Sequence, residues 1–237
     1  MKILCMECSA TPASVAIIDD GKIIGSSFVN VKITHSQTLM PMLSSLLNSL
    51  MMDINDIQGI AVSQGPGSFT GIRIGISAAK GLAFANNLPC VGVSTLRALA
   101  ENFKTTDCYV CAVMDARCNQ VYNALFEIKS GKIIRICDDR ALMCNDLASE
   151  IEYLAQHGKE IIVCGDGTDL FFKFVSHLAN VKSADELVKF QNAIGVGLSS
   201  LEDFFYGNTT TSEQLIPVYL RLPQAQRELN EKFKLEE

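Results

Sequence analysis

"MECSATPASVAIIDDGKII", Met6 to Ile24, has a counterpart in "MDARCNQVYNALFEIKSGKII", Met114 to Ile134. In each, a carboxylate (Glu7 or Asp115) stands at the end of an apolar run. A short polar loop follows, then a second apolar run, then a turn into Lys-Ile-Ile. Asp20-Gly21 and Ser130-Gly131 are the turn residues, and Gly at the second position supplies the positive φ that joins two strands tightly. Each stretch reads as a strand followed by a hairpin, and their recurrence at the start of each half reads as a duplication.

The segments that follow repeat coarsely too. Leu39, Met42, Leu43, Leu46, Leu47 and Leu50 recur at helical spacing, and Pro41 either starts that helix near Thr38 or kinks its first turns. "DIQGIAVSQ" reads as a buried strand, "GSFTGIRIGISAAKGLAFA" as a helix and "LPCVGVS" as a strand. In the second half, "NDLASEIEYLAQHG" reads as a helix capped by Asn145, "KEIIVCGDG" as a strand and "DLFFKFVSHLA" as a short helix. A last helix spans about Asn192–Tyr206. Two lobes of this order point to a duplicated actin-like, ribonuclease-H-like α/β fold, each with a mixed sheet and flanking helices. Residues 1–103 form the first lobe, 104–220 the second and 221–237 an irregular tail, the boundary falling near "ENFKTTD", Glu101 to Asp107. Within the tail, Pro223 ends an extended segment and the charge-rich Arg227–Glu237 lacks an apolar stripe, so it is expected to be loosely held without a partner.

Bulk composition narrows the function classes. The 237 residues carry a formal charge of −6, which disfavours unaided binding to a phosphate backbone. The first twenty residues read as a strand rather than a leader, and no apolar run is long enough for a membrane span, so the cytoplasm is expected. Nine scattered cysteines suit reduced thiols. Cys5/Cys8 and Cys108/Cys111 have C-x-x-C spacing, but in a strand residues i and i+3 face opposite ways, so neither pair is expected to close on zinc.

"SQGPGSFTGIRIG", Ser63 to Gly75, raises the question of phosphate binding. It lacks the Gly-Lys-Ser/Thr of a phosphate loop, and Pro66 removes an N–H that a cradle would use. Ser68 or Thr70 can cap the helix that follows. Its small residues (Gly71, Gly75, Ala78, Leu82) read as the inward side, opposite Arg73, Ser77 and Lys80. Tight packing is the main reading; an anion or nucleotide contact at Gly67 and Ser68, near Glu7 and Asp115, is the alternative.

At these residues the chain resembles the TsaB (YeaZ) family. The resemblance is carried by "GPGSFTGIRIG", "HSQTLMPML" at His35–Leu43, "GVSTL" at Gly92–Leu96, "DAR…VY" at Asp115–Tyr122 and "PVYLR" at Pro217–Arg221. It implies a role in making threonylcarbamoyladenosine at position 37 of tRNA. By that resemblance the chain is a non-catalytic scaffold for a paralogous TsaD-like transferase, joined by a TsaE-like ATPase, and self-associates in isolation. ATP and metal would belong to the partners, and tRNA would be met only through the complex.

The residues agree with an absence of independent chemistry. The catalytic paralogue holds a metal through two histidines one helical turn apart; here His35 is followed at i+4 by Leu39, which makes His35 a cap or surface residue. The loops "ECSATPAS" and "DARCNQ" contain no glycine for a phosphate hairpin, and Glu7-Cys8 stands where the family usually has Asp-Thr. Glu7 and Asp115 facing each other across a cleft, holding magnesium, would mark the alternative, an independent actin-like ATPase, phosphotransferase or hydrolase. Cys8 is read as a core or loop thiol without an activating base.

A partner surface is also legible. His35 to Met52 contains no Asp, Glu, Lys or Arg. The side of that helix away from the leucines carries Met40, Ser44, Asn48 and Met51, the uncharged composition of an interface centre. Arg73, Ser77, Lys80 and Phe84 on the second helix are expected to extend it.

Overall fold

The computed structural model describes residues 1–221. The first half builds β1 (Lys2–Glu7), β2 (Ala13–Asp19), β3 (Lys22–Val29), α1 (His35–Ser49), β4 (Gly59–Gly65), α2 (Phe69–Asn86), β5 (Cys90–Ser94) and α3 (Thr95–Glu101). Its five strands form one sheet in the order β3-β2-β1-β4-β5. β1–β2 and β2–β3 pair antiparallel, while β1–β4 and β4–β5 pair parallel.

The second half repeats this plan with β6 (Tyr109–Asp115), β7 (Gln120–Lys129), β8 (Lys132–Arg135), β9 (Arg140–Met143), α4 (Cys144–Ala155), β10 (Ile161–Cys164), α5 (Thr168–Val175), β11 (Val181–Ser183) and α6 (Ala193–Tyr206). Its sheet runs β8-β7-β6-β10-β11, the same order as the first, with β9 added alongside β7. Both hairpins have their turn residues at positive φ, Asp20 at 47° with Gly21 at 80° and Ser130 at 51° with Gly131 at 74°. The duplicated, mixed-sheet α/β fold read from the sequence is the fold observed.

Alternation along the central strands divides the core. Leu4, Met6 and Cys8 pack with α1 and α2, whereas Ile3 and Cys5 pack with Ala193 and Val196 of α6. In the second sheet, Cys111 and Val113 face α4 and α5, whereas Val110, Ala112 and Met114 face Leu96 and Leu99 of α3. The two lobes thus exchange helices: α3 lies on the second sheet, and α6 lies on the first. They touch between the sheets, where a Cβ on Gly195 would stand 2.3 Å from the Ala98 carbonyl oxygen. That clearance is what a glycine permits.

Two local expectations need correction. α1 begins at His35, not Thr38, and carries Pro41 inside it. There the missing N–H falls on the solvent side, where water can satisfy the Gln37 carbonyl. α4 begins at Cys144 with no side-chain cap, so Asn145 lies inside the helix. Arg227–Glu237, expected to be loosely held, lies outside the described residues. Among the described residues no helix is long and apolar enough to cross a membrane.

Candidate functional site

Between the lobes lies a cleft of about 760 Å³, lined by Ser9, Ala10, Thr11, Lys32, His35, Gly67, Ser68, Phe69, Asp115, Arg117, Tyr122, Asp166, Tyr219 and Arg221, among others. Two equivalent turns reach it. Gly65-Pro66-Gly67-Ser68 leads from β4 into α2, and Gly165-Asp166-Gly167-Thr168 leads from β10 into α5. Each leans on the end of its own central strand. A Cβ on Gly67 would stand 2.4 Å from the Ser9 carbonyl oxygen, and one on Gly167 would stand 2.9 Å from the Asp115 nitrogen. No side chain fits in either place.

This answers what the first glycine turn does. The Ser68 N–H donates to the Ser9 carbonyl at 2.6 Å, and the Ser68 hydroxyl caps α2 by accepting from the Gly71 N–H at 3.3 Å. Gly71 itself lies on the Cys8 carbonyl, where a Cβ would stand at 2.0 Å. The turn seats α2 on the end of β1. Two of the groups that an anion would need at Gly67 and Ser68 already serve the protein.

Glu7 is fully buried. Its Oε1 accepts from the Ser9 N–H at 2.5 Å, and burial raises its carboxyl above the usual range. The Ser9 and Ser63 hydroxyls stand close enough to oppose that rise, although Glu7 Oε2 and both hydroxyl oxygens are buried without a partner of hydrogen-bonding geometry. The face-to-face pair of Glu7 and Asp115 that would mark the alternative reading is therefore not formed. Asp115 lines the cleft and Glu7 does not. Asp115 accepts from the Arg117 backbone N–H at 2.7 Å, with the guanidinium at 3.4 Å.

His35 is buried, not a cap or a surface residue. Its Nε2 lies 2.7 Å from the Ala10 carbonyl oxygen, a partner that can only accept, so Nε2 carries the proton. Asp166 is the cleft residue that the sequence reading missed. Part of its surface is open, yet close packing raises its carboxyl to about 7 by burial, against the Gln191 amide that donates to it at 3.2 Å. Laying "GDGT" on "GPGS" would have found it. Cys8 is buried and its thiol is pushed up by burial, the reverse of an activated nucleophile. Cys5 and Cys8 lie on opposite faces of the first sheet, and Cys108 and Cys111 on opposite faces of the second.

On the outer surface, Met40, Ser44, Asn48 and Met51 are all exposed, Met51 to 94%, while Leu39, Met42, Leu43 and Leu46 are buried. On α2, Ser77 and Phe84 are exposed. The Arg73 and Lys80 head groups are engaged by the chain itself. Arg73 Nε donates to the Tyr219 hydroxyl at 2.8 Å, and its guanidinium lies 3.8 Å from the Phe69 ring centre. Lys80 donates to the carbonyls of Glu213 and Leu215 at 3.1 and 3.2 Å.

The model of a family described as "TsaD: tRNA N6-adenosine threonylcarbamoyltransferase" matches residues 29–225. "tRNA threonylcarbamoyladenosine biosynthesis protein TsaB" of Bacillus subtilis is 31% identical over 95% of this chain and 96% of its own length. Its Escherichia coli namesake is 30% identical over 93% of this chain and 95% of its length. The solved structure of YeaZ from Pseudomonas aeruginosa, 25% identical, matches with a TM-score of 0.78 over 92% of this chain and 99% of that one. Relatives at this identity along nearly their whole length, with a family-model match across most of the chain, place it: the chain belongs to the TsaB (YeaZ) family.

Proposed function

We propose that this chain serves the formation of N6-threonylcarbamoyladenosine at position 37 of tRNA in the cytoplasm, as a non-catalytic scaffold for a TsaD-like transferase joined by a TsaE-like ATPase. The names of its full-length relatives support the pathway. One observation carries the non-catalytic part: the polar groups around the end of β1 are turned onto the protein itself. Ser68 N–H meets Ser9, Ser9 N–H meets Glu7, and His35 meets Ala10. A site that binds phosphate or activates water keeps such donors free for the reacting atoms. ATP, metal and tRNA then belong to the assembly.

The uncharged face of α1, with Ser77 and Phe84 of α2, is the surface we assign to the TsaD-like partner and, without it, to a second copy. Charge depletion and exposed methionines support that assignment. The test is co-purification with the host's TsaD-like protein, followed by an assay of the modified base with this chain present and omitted. A stable complex that is needed for modification, with no ATP or peptide turnover by the chain alone, is the expected result. ATP turnover by the pure chain that disappears in Glu7→Ala/Asp115→Ala would instead make it an enzyme.

A further inference from the structure

After α6 the chain returns along the first lobe. Thr210 pairs with Cys90 at the free edge of β5, both backbone bonds being 2.8 Å. Leu215 is buried in the core beneath α2. The Val218 N–H donates to the Gln64 carbonyl at 2.7 Å. Tyr219 stacks on Phe69 at 4.6 Å between ring centres and accepts from Arg73. Two residues on, the Arg221 guanidinium donates to the carbonyl of Ala116, which belongs to the other lobe.

We propose that residues 211–221 form a latch: anchored along the first lobe, they hold the second through Arg221 and so set how far the cleft opens. The α3–α6 layer joins the lobes between the sheets, and the latch acts from the cleft itself, which Tyr219 and Arg221 line. Ala116 gives a firm grip, because its own N–H donates to Gln120 at the start of β7 at 3.0 Å. A pull on its carbonyl therefore moves the second sheet, not a loose loop. At the other end, Tyr219 is tied to α2 through Arg73, which links the α2 surface to the opening of the cleft. This coupling is independent of what the cleft or the α1 face binds.

The test measures the opening directly. Spin labels on the exposed Cys118 of the second lobe, next to the cleft-lining Arg117, and on Lys32→Cys in the first lobe, itself a cleft-lining position, report the separation of the lobes. A Cys137→Ser background removes the half-buried thiol. A single narrow distance distribution is expected with Arg221 present, a longer and broader one in Arg221→Ala, and an intermediate one in Arg221→Lys. Amide exchange at Ala116 and Gln120 should rise about tenfold in Arg221→Ala, the equivalent of one charge-assisted hydrogen bond. Distributions that coincide in Arg221 and Arg221→Ala proteins would overturn the latch. Should Arg221→Ala fail to fold, Tyr219→Leu, which removes the stack and the phenol, carries the same two outcomes.

Discussion

His35 and Ala10 are joined by a hydrogen bond of 2.7 Å, from the imidazole Nε2 to the carbonyl oxygen. The bond fastens the first turn of α1 to the loop that leaves β1, so the histidine is a structural fastener at the cleft wall. His35→Ala leaves that buried carbonyl without its donor and is expected to lower unfolding free energy by about 1–3 kcal/mol, read from urea denaturation. Modification activity per folded molecule in the reconstituted assembly should stay unchanged. A large loss of activity at unchanged stability would assign His35 a chemical role instead.

Two glycines of α2 should respond in opposite directions. Gly71 has the Cys8 carbonyl oxygen 2.0 Å from where a Cβ would be, and that oxygen is backbone. Gly71→Ala must push α2 off β1, at a cost of about 1–3 kcal/mol or more. Gly81 is exposed with nothing within 4 Å of that position. Gly81→Ala should therefore gain about 0.5–1 kcal/mol from helix propensity and a stiffer unfolded chain. Denaturation midpoints of the two variants against the parent decide the matter.

Stability should fall as pH rises through the range where Glu7 and Asp166 ionise. Both carboxyls are raised by burial, Asp166 to about 7, so the folded state binds more protons than the unfolded chain. Their favourable contribution is present at acid pH and is lost between the ordinary carboxylate range and the folded pKa, near 7 for Asp166. Glu7→Gln keeps an acceptor for the Ser9 N–H and adds an amide that can meet the Ser9 and Ser63 hydroxyls. The variant should match the parent near pH 4 and exceed it increasingly toward pH 8. A difference in melting temperature independent of pH would contradict the buried neutral acid.

Much of this architecture was legible because the duplicated stretches repeat both turn chemistry and the order of their elements. What escaped has physical reasons. α3 spans seven residues and buries Leu96, Ala98, Leu99 and Ala100 alike, too short a run for a helical period to register. β9 and β11 span four and three residues, too short for alternation to register. The pattern of α6 announces an apolar helix but cannot say that it covers the other lobe's sheet. His35 looked like a surface residue because a single imidazole ahead of a helix gives no sign of the Ala10 carbonyl. That carbonyl arrives from 25 residues earlier. The outer face of α1 was readable, since missing charges can be counted on a helix. The contacts of Arg73 and Lys80 with Tyr219 and Glu213 were not legible, because those partners lie more than 130 residues onward.

Association should depend on the α1 face. Ser44 and Met51 are exposed, so Ser44→Glu/Met51→Glu is expected to fold as the parent does. A carboxylate buried at a contact without a partner costs several kcal/mol, enough to weaken association by about a hundredfold or more. Gel filtration of the isolated chain and pull-down with the TsaD-like protein would register this. Unchanged elution and capture would remove the face from the interface.

The sharpest test sets the cleft against the surface in one assay of tRNA modification, using the transferase, the ATPase and this chain together. Glu7→Gln/Asp115→Asn alters the acids at the two strand ends, and Ser44→Glu/Met51→Glu alters the α1 face. For a non-catalytic scaffold, the cleft variant should support modification at the parent's rate, while the surface variant loses complex and modification together. Modification abolished by the cleft variant, in a complex that still assembles and a chain that is still folded, would contradict that role.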